Sequence, residues 1–322
     1  MSDAVPRGPA TPVDAEGRLL QGRWSGGLSL DPVSVGPRRG RVRRWCYVAA
    51  GDEDAAVGAA VVDLGFVAVA FAWAWLDDRT LTWETRLPLG RGAWVGVVPH
   101  VGAGVATRSA MLRFDGQGGF ELRVPTAAGV LRADVTVTTP VDPVVLVTPT
   151  PKGGWNATQK AAGHPVQGRL SLGRDRVHEL GPDAGGWRDW TTGRQDRDTR
   201  WRWVAGAGQS ADGRRVGINL STGMNGEVEG EDLVWWDGHP VPVEIDRLAP
   251  IGDPAGTWRI SGPNAALRFE PWGVRAADEN LGLLRSWYVQ PIGRLVGTLP
   301  DPDGQPVEVA LTGVTEDHHA IW

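Results

Sequence analysis

Cysteine is almost missing. Cys46 is the only one in 322 residues, which excludes an internal disulfide. Lysine is nearly as scarce, with Lys152 and Lys160 the only two among 33 basic residues. The opening stretch MSDAVPRGPATPVDAEGRLL has neither an apolar run nor a basic leading region, so it does not read as a secretory signal. With the solitary cysteine, this sets the expectation of a cytoplasmic protein. Basic stripes and basic–aromatic runs are absent and the net charge of −5 is spread among interspersed signs, so no nucleic-acid partner is expected. No basic amphipathic helix offers itself to a membrane surface either.

The fingerprints of the common catalytic folds are also missing: no G-x-S-x-G, no H-E-x-x-H, no P-loop and no dinucleotide glycine motif. Gly206-Ala207-Gly208 follows a strand pattern, but no helix pattern follows it, so it lacks the context that cradles a phosphate. No cofactor is expected. Helical stripes are equally scarce. With 45 Gly and 24 Pro, only 157–162 and 281–288 offer short helix candidates.

What the chain has instead is tryptophan, 17 of them against 5 Phe and 2 Tyr, and strand patterning nearly throughout. Each indole buries a large area while its N–H asks for a partner, so this surplus suits a wide core or an aromatic-lined cavity. The longest apolar stretch, residues 56–76, approaches membrane-spanning length. However, Asp63 and Gly65 sit near its middle, and the spacing predicts two strands joined near Asp63-Leu64-Gly65. Over 130–138, Leu131, Ala133, Val135 and Val137 face one way and Arg132, Asp134, Thr136 and Thr138 the other. Residues 111–124 read as a hairpin around Asp115-Gly116-Gln117-Gly118-Gly119.

Closely spaced strands joined by turns predict an all-β chain of two antiparallel barrel or sandwich halves. The proline-rich stretch 139–154 places the division near 150: a flexible lead-in over 1–17, one half over 18–150 and a second over 151–322.

Four clusters could carry chemistry. Trp155, Asn156 and Lys160 gather near the predicted junction, and a buried ammonium can act as a point charge where a guanidinium cannot. Arg200-Trp201-Arg202-Trp203 places both indoles on one strand face, as core or as a cavity wall. Asn219 lies among apolar neighbours and needs partners if it points inward. In Glu231–His239, Asp237-Gly238 reads as a hairpin turn, Glu231 and Asp232 read as solvated, and Trp235 as a possible ligand contact. At 316–322, His318 and His319 stand beside two carboxylates, but neighbours in an extended segment point apart, so no metal site is expected.

Taken in order, W-N-x-x-x-K with A-G-H-P-V-x-G (155–168), T-R-W-R-W-V-A-G-A-G (199–208), G-I-N-L (217–220), E-D-L-V-W-W-D-G (231–238) and E-D-H-H-A-I-W (316–322) resemble domain-of-unknown-function family 2804. That family is distantly similar to lipocalin-like carotenoid hydratase and AttH-type proteins. The resemblance implies two packed lipocalin-like barrels, a cavity for an apolar ligand such as a lipid or polyene, and non-redox chemistry in some members.

Three functional readings follow. The first is an intracellular protein binding a small apolar molecule through Trp155, Asn156, Lys160, Trp201, Trp203, Asn219 and Trp235. The second is a hydratase, cyclase or isomerase using Lys160, Glu231 or His318 for proton transfer. The third is a structural or interaction module in which the indoles only fill cores.

Overall fold

The alternating stretches become strands, and in the computed structural model they close into two sheets that share a buried interface. The structure describes residues 5–8, 14, 20–26, 42–224, 230–280 and 284–322; most of the predicted lead-in lies outside them. The first sheet takes β1 (Gly22–Ser25), β2 (Arg43–Gly51), β3 (Ala56–Asp63), β4 (Val67–Leu76) and β5 (Arg79–Pro88). It continues with β6 (Ala93–Val95), β7 (Ala103–Ala106), β8 (Met111–Phe114), β9 (Phe120–Thr126) and β10 (Gly129–Val137). It ends with β11 (Val144–Pro149), β12 (Trp155–Leu172), β13 (Arg176–Glu179) and β14 (Gly185–Arg194). The second sheet holds β15 (Asp198–Ser210), β16 (Arg215–Thr222), β17 (Leu233–Trp236), β18 (His239–Pro242) and β19 (Arg247–Pro250). Its remaining strands are β20 (Trp258–Gly262), β21 (Ala265–Asn280), β22 (Arg285–Pro300) and β23 (Pro306–Ile321).

Every strand-to-strand pairing is antiparallel. The first sheet runs β5-β4-β3-β2-β14-β12-β10-β9-β8-β7-β6, and β6 packs back against β2 and β3 to give a nearly closed barrel. The second runs β18-β17-β16-β15-β23-β22-β21-β20-β19, a half-barrel. Sheet membership changes between Arg194 and Asp198 rather than at the proline-rich stretch near 150. The prolines break the chain without changing sheets: β11 and β12, on either side of residues 150–154, pair with each other.

The apolar run of 56–76 is β3 and β4, and the turn forms where Asp63 Oδ1 accepts the Gly65 N–H at 2.8 Å. The short helix candidate at 157–162 is instead part of β12, and 285–288 begins β22. The first error has a physical cause. Residues 156–164 are buried on both faces, one against the barrel interior and one against the second sheet, so no solvated face alternates with an apolar one, and small and polar residues occur on both. Many strands are also longer than the sequence suggests. β12 and β21 absorb irregularities at Ala162/His164 and Pro271/Gly273, and Gly163 takes φ +85° at the first.

Among the described residues, three apolar clusters result. One fills the barrel around Leu112, Leu122, Leu131 and Trp190, and another fills the half-barrel around Ile218, Trp258 and Phe269. The third lies between the sheets, where Tyr47, Trp73 and Trp187 meet Trp203, Ala205 and Trp235. At one point the two backbones themselves touch. A Cβ on Gly217 of β16 would lie 2.2 Å from the Ala162 carbonyl carbon and the Gly163 nitrogen of β12. Among the described residues, no helix is long and apolar enough to cross a membrane.

Candidate functional site

Where the third cluster loosens, the sheets leave a cavity of about 180 Å³. The barrel contributes Trp45, Tyr47, Val62, Val69 and Phe71, and the half-barrel contributes Trp201, Trp203 and Tyr288. Strand alternation aims these side chains. Trp201 stands opposite His318 and Trp203 opposite Glu316, so all four share the inner face, while Arg202 turns away to Asp317 at 3.2 Å.

Two polar groups interrupt the apolar wall. In the first, Lys160 and Asp189 face each other across β12 and β14, with Lys160 Nζ 2.8 Å from Asp189 Oδ1 and 3.5 Å from Glu231 Oε2. Asp189 also accepts from the Trp45 indole N–H at 3.1 Å, the Thr191 hydroxyl at 3.0 Å and the Thr158 hydroxyl at 3.2 Å. Lys160 is 6% exposed and Glu231 5%, so neither is solvated. Burial opposes the charge on Lys160, but the two carboxylates outweigh it and raise its pKa above the ordinary lysine value. One ammonium between two carboxylates leaves a surplus acid. Glu231 is the more distant partner, and burial together with the Asp189 charge pushes its pKa up against the pull of Lys160.

In the second group, Glu316 of β23 accepts from the Trp201 indole N–H at 2.8 Å, from the Gln290 amide and from His318 Nδ1 at 3.1 Å. Burial raises the Glu316 pKa, yet its bond to His318 and the nearby charges of His318 and Arg275 hold it below the ordinary value. The His318 ring stacks on Trp201 at 3.9 Å between centroids, and its Nε2 lies 2.9 Å from Ser286 Oγ. Beyond them, Arg275 is buried over Phe71 and Tyr288 and pairs with Glu84 at 2.9 Å.

Of the sequence candidates, Asn156, Lys160, Trp201, Trp203, Glu231 and His318 line the cavity. Asn219 sits one layer behind, its side-chain oxygen accepting from Trp203 Nε1 at 2.9 Å and its amide donating to the Glu231 carbonyl at 3.0 Å. Trp155 and Trp235 do not line it. Trp155 packs against the barrel core, and Trp235 is fully buried with its N–H on the Asp142 carbonyl at 2.7 Å. His319 points away from His318 to Asp198 at 2.9 Å, and no metal-holding cluster occurs among the described residues. Sequence reasoning missed Asp189, Ser286 and Arg275, and weighed Glu316 only as a carboxylate beside the histidines. Only Glu316 left a legible signal, two residues before His318 and so on the same strand face.

Asp232, read as solvated, is also largely withdrawn from water. Burial lifts its pKa to about 6 despite the Ser221 N–H on its Oδ1 at 3.0 Å. A folded-state value above the unfolded one means the folded state holds the proton more tightly. Stability should therefore fall as pH rises from about 4 to about 6. Asp232→Asn keeps an acceptor for Ser221 and removes the charge. It should raise the thermal midpoint at pH 7.5 but not at pH 4.5, and an equal gain at both would refute the burial argument.

The sequence model of one family, described as "Domain of unknown function (DUF2804)", matches residues 10–322. No curated protein matches the chain. Among solved structures, an AttH-like protein from Nitrosomonas europaea is similar at 13% identity and a TM-score of 0.53, with 90% of this chain and 96% of that chain covered. Kievitone hydratase from Nectria haematococca aligns at 10% identity and a TM-score of 0.48, covering 98% of this chain and 97% of that one. The likeness to the first shows a shared lipocalin-like fold.

Proposed function

The chain belongs to the DUF2804 family, and from its cavity we propose that it binds a small, uncharged, largely apolar molecule between its two sheets. One observation carries this reading. The wall is mostly aromatic and aliphatic, and its charged groups are engaged: Lys160 with Asp189 and Glu231, Arg275 with Glu84, Arg86 with Glu279, Arg285 with Asp278, and Glu316 with His318. An anionic ligand would meet a surplus of carboxylates, whereas an uncharged one leaves every pair intact. Size narrows the choice, since an apolar cavity of ~150 Å³ holds a benzene. The 180 Å³ here suits a ring with a short chain; a longer lipid or polyene would project part of its length outside.

A second reading, a non-redox hydratase, cyclase or isomerase, draws on Glu231. A buried carboxyl group whose pKa is pushed up by burial and by the Asp189 charge, on the wall of an apolar cavity, is suited to protonating a double bond. Titrating tryptophan emission with small aromatic ketones, alcohols and alkenes tests both. Val69→Trp on the cavity wall should weaken binding at least ~10-fold, about 1.4 kcal/mol. In the same assay Glu231→Gln should keep the affinity and lose any double-bond hydration. No ligand-dependent change in emission anywhere in the panel would sink the binding reading.

A further inference from the structure

We propose that Ser286, His318 and Glu316 form a nucleophile–base–orienter triad that hydrolyses small uncharged esters entering the cavity, a reading that rests on the binding function above. The geometry is continuous. Ser286 Oγ lies 2.9 Å from His318 Nε2, and His318 Nδ1 lies 3.1 Å from Glu316 Oε1. These are the two contacts by which a base activates a hydroxyl and a carboxylate fixes the base. All three residues line the cavity. Glu316 is buried and held by the Trp201 indole and the Gln290 amide, so its position is fixed independently of the histidine. Trp201 stacks on the His318 ring and Tyr288 tilts against it at 5.5 Å, which fixes the ring plane.

A cation stands at the same end of the cavity. Glu279 is the direct cross-strand partner of Ser286 and pairs with Arg86, and both line the cavity. A strand position explains why no G-x-S-x-G accompanies Ser286: the arrangement is defined by roles in space, not by a turn motif.

In the first step the Ser286 Oγ–acyl carbon bond forms and the ester C–O bond breaks. The Ser286 proton passes to His318 Nε2 and on to the departing alkoxide, which leaves as an alcohol. In the second, water gives a proton to His318 and its oxygen bonds the acyl carbon. The Oγ–acyl bond breaks, Ser286 regains its proton, and the carboxylic acid leaves, to be ionised in solution where the carboxylate surplus of the cavity does not hold it.

The full chain is treated with a fluorophosphonate, mapped by peptide mass spectrometry, and assayed with 4-nitrophenyl acetate and butyrate. Acetophenone titration followed by tryptophan emission reports binding separately. A single adduct on Ser286 in the wild-type chain, which also binds acetophenone, with ester turnover lost on the order of 10³-fold in Ser286→Ala and in His318→Gln, supports the triad. Acetophenone binding without adduct or turnover overturns the triad and leaves the binding function standing. Absence of all three overturns both. Turnover that survives Ser286→Ala, or an adduct on another serine, also overturns it.

Discussion

Lys160→Met is expected to destabilise the protein by about 3–5 kcal/mol at neutral pH, the range seen when one partner of a buried ion pair is removed. Methionine fills much the same volume, so the loss is electrostatic rather than a packing defect. Asp189 would keep its bonds from Trp45, Thr158 and Thr191, but Glu231 would face it without the cation that now stands between them. Glu231, whose pKa burial and the Asp189 charge already push up, would then resist ionisation further without the pull of Lys160. Stability lost on ionisation grows as pH rises, so the gap to the wild-type protein should widen from pH 5 to pH 8. Arginine should not restore it, because a planar guanidinium does not fit a site built for a compact ammonium. Adding Glu231→Gln should recover part of the loss. Urea denaturation at several pH values measures all of this, and a loss below about 1 kcal/mol at neutral pH would mean that the ammonium does not hold the carboxylates together.

Gly217→Val should be at least as damaging for a different reason. The new side chain would meet backbone, at 2.2 Å from Ala162 and Gly163, and neither strand can yield without moving its sheet. Gly163 is itself at φ +85°, so β12 has little freedom to adjust there. A loss exceeding about 4 kcal/mol, or failure to accumulate as soluble protein, is expected. Gly181→Ala is the control: its added methyl finds only Asp52 Oδ2 at 3.6 Å, and the thermal midpoint should hardly move. Equal behaviour of the two variants would show that the sheets are not in contact at Gly217.

Much of the architecture was legible because most strands have one polar face. Leu131, Ala133 and Val135 are buried while Arg132, Asp134 and Thr136 are exposed, as their alternation predicts. The Asp237-Gly238 turn, with φ of +48° and +89°, joins β17 and β18 as its residue types require. Legibility failed where a strand is covered twice, as over 156–164, and at the change of sheet. The site divided the same way. Lys160 stood out because lysine is rare, and Trp201 and Trp203 because they alternate with arginine. Asp189 did not, since its place opposite Lys160 depends on the register of two strands distant in sequence. Trp235 shows the limit of reading indoles by type, because a core ring and a cavity ring share one composition.

The strand order of the half-barrel bears on how the molecule assembles. β23 sits between β15 and β22, so Asp198 pairs with Ile321 and Trp203 with Glu316. Such pairings close loops of well over a hundred residues and are slow to form, whereas hairpins such as β3–β4 close locally. The barrel can therefore bring Lys160 and Asp189 together early, while Glu316 and His318 arrive only when β23 slots into place. Until then the barrel face that meets the second sheet, with Tyr47, Phe71 and Trp73, lies open to water, and it is during this interval that the chain is most exposed to aggregation.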